Sequence, residues 1–281
     1  MGNISMIIVK VKLKAHPPMV VSIYMYKYAS DDILNANIYL GYSKQIVVDK
    51  NYVLKMPTNL DLAAATPLLC AGITCFSPLM KFNLRPNHRF AVCGLGGLGH
   101  MAVKFGKAFG CHVTVISRST AKRDSALNKL GADAFLDSSD KVTHSLTHSL
   151  THSLTHSLTH SDKAAMEAAV KSFDFILDAI SAQHSIEDYL KLLNLDGKLV
   201  IVGVPPAPFA LNAGSLIFNR NSVSGSLIGG IKETQEMLDF CGRNNIVCDI
   251  EMCDASYVNE AYERTISGDV KYRFVIDCDT I

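Results

Sequence analysis

Hydrophobic and polar positions along the chain predict strands that alternate with helices. The apolar run 90–93 leads through a glycine-rich stretch into a helical pattern that starts at Met101. Five further apolar runs have the length and residue types of strands, at 112–116, 134–136, 173–177, 197–203 and 222–226. Two segments between them have helical spacing, at 120–130 and 186–195. This alternation predicts an α/β fold with a doubly wound parallel sheet covered on both faces.

Shorter elements are predicted on either side of this alternation. Before it, the pattern predicts two strands and two helices, at 45–48, 52–54, 61–65 and 68–74. Either Asn59 or Asp61 is the candidate cap of the first helix. After it, two helices and two strands are predicted, at 234–241, 249–252, 258–266 and 272–276. Residues 1–40 carry no motif, although 7–13 alternate as in a strand.

Residues 143–161 repeat the tetrapeptide Thr-His-Ser-Leu almost five times inside an otherwise non-repetitive segment. One interpretation is a low-complexity expansion lodged in a surface loop, where insertions cost little. The alternative is a helix that stacks histidines one turn apart, at every fourth position from 144 to 160, and binds a transition metal. Serine and threonine at half of the positions disfavour an isolated helix. Both interpretations stay open.

Composition and charge argue against two classes of partner. A net charge of +1 with 19% charged residues gives no electrostatic field for nucleic acid or for an anionic membrane. No apolar run reaches the about 18 residues that a membrane span needs. The eight cysteines contain no C-x-x-C pair, which is typical of a reduced cytoplasmic protein. With 281 residues, the chain is long enough for about two domains.

The glycine-rich stretch has the spacing G-x-G-x-x-G, at Gly94, Gly96 and Gly99. Gly94 allows a tight turn, Gly96 allows close approach of a pyrophosphate, and Gly99 allows the helix to pack closely on the strand. The unpaired N–H groups at the start of the helix then face the phosphates. Between a strand and a helix, this spacing predicts a dinucleotide site in a Rossmann sheet.

The residues after the second strand indicate which dinucleotide binds. An NAD site places Asp or Glu there, about 20 residues past the glycines, to bind the ribose 2′-hydroxyl. This chain has no carboxylate at that place, and instead has Ser117, Arg118, Ser119, Lys122 and Arg123. Cations and hydroxyls suit a 2′-phosphate, so we predict NADP(H). A second interpretation, compatible with the first, is a helix start with Ser119 as its cap and solvated Lys122 and Arg123.

Six short motifs occur in order between residues 41 and 277. They are Gly41-Tyr42-Ser43, Cys70-Ala71-Gly72-Ile73-Thr74 with Ser77-Pro78-Leu79, Gly94-Leu95-Gly96-Gly97-Leu98-Gly99-His100, Gly225-Ser226-Leu227-Ile228-Gly229-Gly230, Glu233-Thr234-Gln235-Glu236-Met237-Leu238 and Asp269-Val270-Lys271-Tyr272-Arg273-Phe274. Together they resemble the cinnamyl-alcohol-dehydrogenase branch of the zinc-dependent medium-chain dehydrogenases. The resemblance implies hydride transfer between NADPH and an aldehyde, with zinc polarising the carbonyl, and the reverse reaction on an alcohol.

The resemblance also implies a division of the chain. Residues 41–75 and 229–281 correspond to remnants of a GroES-like catalytic domain, and residues 76–228 to the NADP-binding Rossmann domain. Residues 143–161 are an insert in that domain, and residues 1–40 are unassigned. Because the last strand of the Rossmann sheet commonly pairs across a dimer axis in this family, residues 222–230 are the candidate edge of a homodimer.

Site residues follow from the resemblance by position. The turn from Gly94 through Leu95, Gly96, Gly97 and Leu98 to Gly99 would bind the pyrophosphate, and Ser117, Arg118, Ser119 and Lys122 the 2′-phosphate. The cofactor and its nicotinamide end would be lined by Thr74, Ala179, Gly203, Ser226, Leu227 and Ile228. Cys70 corresponds to one ligand of the catalytic zinc. We assign no catalytic residue.

The chain departs from the family pattern at the zinc site. The family's other zinc ligands lie upstream of the Gly-Tyr-Ser motif, where this chain has only 40 unrelated residues. A catalytic zinc needs three protein ligands and an open position. Cys70 supplies one ligand, and His16 has no motif around it. We therefore expect NADP(H) binding with impaired catalysis.

Three alternatives stay open. The first is that the chain is a non-catalytic NADP-binding protein. The second is that it is a zinc-free reductase of the quinone-reductase type, although Cys70 and its neighbours argue against this. The third alternative is a truncated or misassembled reading frame, which the unusual first 40 residues and the repeat suggest.

Overall fold

The computed structural model describes residues 50–138 and 163–281, together with the backbone of two short strands near the N-terminus. The predicted strand at 45–48, the Gly41-Tyr42-Ser43 motif, His16 and the repeat at 143–161 lie outside the described residues. Backbone contacts group the chain into two units. The sheet unit comprises Pro78–Leu95 and Ala102–Ser226, and the flanking unit comprises Met1–Ser77, Gly96–Met101 and Leu227–Ile281. The domain limits implied by the resemblance stay a prediction.

The elements alternate along the chain as the hydrophobic pattern predicts. The strands are β1 (Ile8–Val9), β2 (Met19–Val21), β3 (Val53–Lys55), β4 (Arg89–Cys93), β5 (His112–Ser117), β6 (Ala134–Asp137), β7 (Phe173–Asp178), β8 (Leu193–Ile201), β9 (Ser222–Gly225), β10 (Ile250–Asp254) and β11 (Arg273–Asp277). The α-helices are α1 (Leu62–Ala65), α2 (Ala71–Lys81), α3 (Gly99–Ala108), α4 (Lys163–Ala168), α5 (Ile186–Leu190), α6 (Ala213–Ile217), α7 (Ile231–Asn244) and α8 (Val258–Ser267).

The sheet unit contains a six-stranded parallel sheet in the order β6-β5-β4-β7-β8-β9. The strand order runs outward in both directions from the central pair β4 and β7, which makes the sheet doubly wound. The predicted α/β fold with a Rossmann sheet is therefore confirmed. In such a sheet, ligands bind at the carboxyl ends of the strands, beside the point where the order reverses.

The core of this sheet depends on close contact between a helix and the central strand. Phe90 on β4 packs edge to face on Phe175 of β7, with ring centroids 5.7 Å apart. A methyl group added at Gly106 of α3 would lie 2.6 Å from Cδ1 of Phe90. Because real carbon atoms do not approach so closely, α3 can lie against β4 only with glycine at this position.

Three predicted helices differ in the structure. Segment 120–130 forms a short 3-10 helix, Thr120–Lys122, followed by a π-helix, Ser125–Lys129, in which Leu130 N donates to Ser125 O. The predicted helix 186–195 ends at Leu190, because the buried residues Leu192 and Leu193 already return to the sheet. The predicted helix at 68–74 is interrupted at Cys70, whose backbone φ of −125° separates a 3-10 turn from α2.

The flanking unit contains the antiparallel pair β2–β3 and the parallel sheet β1-β11-β10. Arg264 of α8 fixes this second sheet, since its guanidinium donates to Glu251 at 2.7 Å and to Asp269 at 3.0 Å. The same guanidinium lies 4.9 Å from the ring centroid of Phe274. Asp61 caps α1 by accepting a hydrogen bond from Ala64 N at 2.8 Å, which confirms one of the two predicted caps.

Within the described residues, no single helix has the length and apolar character to cross a membrane. The segments Leu62–Leu69 and Ala71–Lys81 are long and apolar enough only when taken together, and this pair is bent by 54°.

Candidate functional site

The glycine-rich turn leaves β4 in a conformation that requires glycine. Gly94 has a φ of +87°, in the left-handed region, and its N–H donates to the carbonyl of Ile116 at 2.9 Å. A methyl group there would also lie 3.0 Å from Cγ1 of Ile180. An L-residue would be strained at this φ, so the tight turn assigned to Gly94 agrees with the backbone.

Gly96 faces open space. Apart from its two chain neighbours, no atom of residues 50–138 and 163–281 lies within 4 Å of a methyl group placed on its Cα. Its carbonyl accepts a hydrogen bond from His100 N at 3.1 Å, at the start of α3. The space beside the Gly96 Cα is therefore open, which is compatible with the predicted close approach of a pyrophosphate.

Arg273, which the sequence reasoning did not single out, lies beside this turn in the flanking unit. A methyl group at Gly97 would lie 2.4 Å from Nε of Arg273. This Nε is buried and has no hydrogen-bond partner in the part of the chain that the structure describes. A buried guanidinium donor without an acceptor suits an anion. Arg273 belongs to the last of the six motifs, but nothing in that motif indicates that its charge lies beside the glycine-rich turn.

The predicted 2′-phosphate residues follow β5. Ser117 is buried at the end of the strand, and its Oγ accepts from Ser119 N at 3.3 Å, while Arg118 and Ser119 are exposed. Lys122 is half-buried, and its Nζ donates to the carbonyl of Leu95 in the glycine-rich turn at 2.8 Å. Burial lowers the pKa of Lys122. Ser119 lies at the N-cap position of the 3-10 helix that starts at Thr120, as the second interpretation predicts, although its side chain makes no capping bond. Arg123 is exposed, whereas Lys122 is half-buried.

Ala179 and Gly203 lie at the carboxyl ends of β7 and β8. Ala179 N donates to the carbonyl of Cys93 at 2.9 Å, and Gly203 N donates to the carbonyl of Asp178 at 3.1 Å. A methyl group at Gly203 would lie 2.3 Å from the carbonyl oxygen of Ile180. The ends of β4, β7 and β8 are thus joined by backbone contacts at the edge where a Rossmann sheet binds its ligand.

A buried acid and a histidine, both missed by the sequence reasoning, support this edge. Asp178 is fully buried at the end of β7, and its Oδ1 accepts from Ile180 N at 3.0 Å. Its Oδ2 lies 2.7 Å from Nε2 of His184, whose Nδ1 lies 2.8 Å from the carbonyl of Ala182. The hydrogen bond with Asp178 raises the pKa of His184. The only indication in the sequence was an acid at the end of a predicted strand.

Of the remaining predicted residues, Thr74, Leu227 and Ile228 belong to the flanking unit and Ser226 belongs to the sheet unit. Thr74 is buried in α2, Ser226 N donates to Ile201 O at 3.1 Å just after β9, and Leu227 is exposed. Ile228 has a positive φ of 46°. None of these four residues contributes a charged group to the predicted cofactor site.

Cys70 is half-buried at the break before α2. Burial raises the pKa of its thiol, and the nearby Arg273 guanidinium opposes this effect. Among residues 50–138 and 163–281, no three His, Cys, Asp or Glu side chains come together as a metal would need. Because a zinc site requires three protein ligands, these residues do not fit a catalytic zinc.

Comparison with known proteins matches this geometry to one family. Residues 97–243, just over half of the chain, match the family described as zinc-binding dehydrogenase. Alcohol dehydrogenase 9 of Catharanthus roseus is 47% identical over 251 residues, which cover 89% of this chain. A cinnamyl alcohol dehydrogenase structure from Sorghum bicolor superposes with a TM-score of 0.73 at 44% identity over 83% of this chain. A structure described as CAD from Helicobacter pylori, complexed with NADP(H), gives a TM-score of 0.69 at 36% identity over the same share.

The match covers only part of each of these proteins. The chain spans 63% of the length of the Catharanthus enzyme. It spans 60% of each of the two solved chains.

Proposed function

Because this chain belongs to the zinc-binding dehydrogenase family, we propose that it binds NADP(H) at the carboxyl edge of the six-stranded sheet. The observation that carries the proposal is the stretch after β5, where Arg118 and Lys122 stand in place of the acid of an NAD site. The open backbone at Gly96 supports it, since a pyrophosphate can approach there.

The proposed reaction is that of an NADP-dependent alcohol dehydrogenase or aldehyde reductase. A bound NADPH would supply the hydride that reduces a carbonyl carbon, and in the reverse direction the oxidised cofactor would accept a hydride from an alcohol. The residues of this chain bind and orient: Arg118 and Lys122 hold the 2′-phosphate, and the amides after Gly96 hold the pyrophosphate. Ala179 and Gly203 then support the nicotinamide end at the ends of β7 and β8. The cytoplasm is the proposed compartment.

The described residues do not supply a zinc site. Cys70 lies near the Arg273 guanidinium, and a cation beside the thiol disfavours a metal cation at the same place. We therefore propose that turnover is impaired. A second candidate function, cofactor binding without catalysis, is favoured by the same observation.

Cofactor titration tests the proposal. We expect NADPH to bind about 100-fold more tightly than NADH, because each charge-assisted hydrogen bond to the 2′-phosphate contributes about 1.5 kcal/mol and 1.4 kcal/mol is about tenfold. Arg118→Ala should weaken NADPH binding about tenfold and leave NADH binding unchanged. Arg220→Ala, which removes an exposed arginine paired with Asp196, is the matched control. Equal affinity for both cofactors would contradict the 2′-phosphate assignment.

Turnover separates the two candidate functions. NADPH oxidation is followed with an aromatic aldehyde, with and without added zinc. Slow oxidation that zinc does not accelerate is expected of an impaired reductase, and none at all of a non-catalytic protein. Fast zinc-dependent turnover would show that the impairment is wrong.

We further propose that the partner is a second copy of this chain, bound along residues 222–230. β9 pairs with β8 on one side and is an edge of the sheet in the described part of the chain. Two large apolar residues just before it are exposed, Ile217 at 69% and Phe218 at 86%. An unpaired edge beside exposed apolar side chains is suited to pairing with an identical edge.

Phe218→Asp tests this dimer. The variant is expected to elute as a monomer in size-exclusion chromatography with light scattering, because a buried unpaired carboxylate at each copy opposes association. Val170→Asp, which places the same charge on another exposed apolar residue, should leave the dimer intact. A wild-type chain that stays monomeric at every concentration would contradict the proposal.

A further inference from the structure

We propose that His184 is a positioning residue for the nicotinamide end of the cofactor site, and that it acts as an imidazolium held by Asp178. The inference rests on the proposed NADP(H) function. It makes NADP(H) affinity depend on the protonation of His184: affinity is expected to fall as His184 loses its charge at higher pH.

The geometry around the ring requires two donors. Nδ1 lies 2.8 Å from the carbonyl oxygen of Ala182, and Nε2 lies 2.7 Å from Oδ2 of Asp178. A carbonyl and a carboxylate only accept hydrogen bonds, whereas a neutral imidazole carries a single N–H. Both contacts are therefore satisfied only when both ring nitrogens are protonated. The His184 side chain is 10% exposed and that of Asp178 is 0% exposed, so water does not readily replace the contact between them.

Asp178 transmits this pairing to the edge of the sheet. Its Oδ1 accepts from Ile180 N at 3.0 Å, and its carbonyl accepts from Val202 N and Gly203 N at 2.9 and 3.1 Å. The carbonyl of Ile180 in turn occupies the space that a side chain at position 203 would need. The turn containing Ala179 and Ile180 is thus held on one side by the His184–Asp178 pair and on the other by the end of β8.

The charged and titratable groups around the ring come from four elements. Asp178 on β7 is the direct partner, and the Arg118 guanidinium after β5 is close enough to act on His184. Tyr189 on α5 lies 5.6 Å from the ring by centroids, and Cys93 on β4 neighbours Asp178. Burial raises the pKa of both Tyr189 and Cys93, so neither adds a charge near neutral pH.

The sign of the pH effect follows from these groups. The hydrogen bond to Asp178 raises the pKa of His184, while burial and Arg118 oppose the rise. A histidine with a raised pKa keeps its proton at pH values where an ordinary histidine, with a pKa of about 6.5, has lost it. The pair is therefore intact at lower pH and is lost as pH rises through the raised pKa. Deprotonation leaves one acceptor facing a lone pair, which loosens the turn.

The experiment is an NADPH titration of the full chain from about pH 6 to about pH 9, which brackets the range where a raised histidine pKa acts. We expect wild-type affinity to fall about tenfold across this range, the equivalent of one lost charge-assisted hydrogen bond. The His184 ring signal, followed by NMR in the free chain, should titrate with the same midpoint. The 2′-phosphate of the ligand titrates near pH 6 in every variant, so its contribution cancels between them.

Two variants distinguish a charge effect from a structural one. In Asp178→Asn, the amide can accept from Ile180 N and donate to Nε2 of a neutral His184, so affinity should rise with pH, the reverse of wild type. In His184→Gln, affinity should be lower at acidic pH and should keep only the pH dependence that the 2′-phosphate gives to every variant. His112→Gln, at the exposed start of β5, is the matched control and should follow the wild-type profile.

The outcomes are separable from those of the proposed function. If NADPH fails to bind at every pH tested, the NADP(H) proposal itself is overturned. Binding that varies with pH identically in wild type and His184→Gln would overturn the role of His184 and leave NADP(H) binding in place. If Asp178→Asn does not fold, His184→Gln and the NMR titration decide the question.

Discussion

Replacing Gly96 with valine is expected to weaken NADPH binding about 100-fold, the equivalent of about two lost charge-assisted hydrogen bonds. In the described part of the chain, a Cβ at this position has no neighbour within 4 Å other than the adjoining residues, so we expect the fold to accept the larger side chain. It would instead occupy the place where a pyrophosphate must approach the backbone. The thermal midpoint of unfolding should therefore stay unchanged while the NADPH dissociation constant rises.

A graded series provides the control for Gly96. Gly96→Ala should lose less affinity than Gly96→Val, because the intrusion grows with side-chain volume at constant fold stability. Calorimetric titration measures affinity, and differential scanning calorimetry measures the fold. Wild-type affinity in the valine variant would show that the pyrophosphate does not lie at Gly96.

Gly203→Ala is expected to lower the free energy of unfolding by about 3 kcal/mol, at the upper end of the usual cost of overpacking. The added methyl group would lie 2.3 Å from the carbonyl oxygen of Ile180 and 2.6 Å from its carbon. These are backbone atoms held at the end of β7, so the two strand ends must separate. NADPH binding should weaken as well, because Ala179 lies in the turn that moves.

Gly97→Ala is the comparison for this prediction. Its methyl group would lie 2.4 Å from Nε of Arg273, the far part of a long side chain that can rotate away. Its thermal midpoint should stay near that of wild type, whereas Gly203→Ala should fall by about 6 to 12 °C for a domain of this size. Equal midpoints for the two variants would contradict the assigned role of the backbone contact at Gly203.

Strand positions were predicted well because each strand of the sheet is a local apolar run. The runs at 90–93, 112–116 and 173–177 lie within β4, β5 and β7, all buried on both faces. The turn after β4 was also predictable, since the spacing of Gly94 and Gly96 has a mechanical cause within a few residues.

Helix ends were predicted less well because distant contacts decide them. The helical pattern of 186–195 continues past Leu190, but hydrogen bonding to β7 draws the following residues into β8. Asp196 adopts a positive φ of 61° next to Gly197, and the strand register shifts between Phe173 and Phe175. The Asp196-Gly197 dipeptide is a local turn signal, but it does not indicate that the strand register shifts at Phe173.

The parts of the site that the sequence does not indicate depend either on contacts between distant residues or on burial. Arg273 is 176 positions from Gly97, and a pattern of spacing carries no information about such a contact. The His184–Asp178 pair is closer in sequence, yet its meaning depends on burial, which only the packed sheet supplies. Gly106 allows α3 to pack closely on β4, but no motif around it in the sequence indicates this role.

The hydrogen bond from Lys122 to the Leu95 carbonyl determines how the preference for NADPH over NADH responds to ionic strength. Added salt screens exposed charges, with a Debye length of about 10 Å at 0.1 M, but acts much less on a buried ammonium. Arg118 is exposed and Lys122 is half-buried. As salt concentration increases, the contribution of Arg118 to cofactor choice should therefore fade, and the discrimination that persists in concentrated salt should come from Lys122.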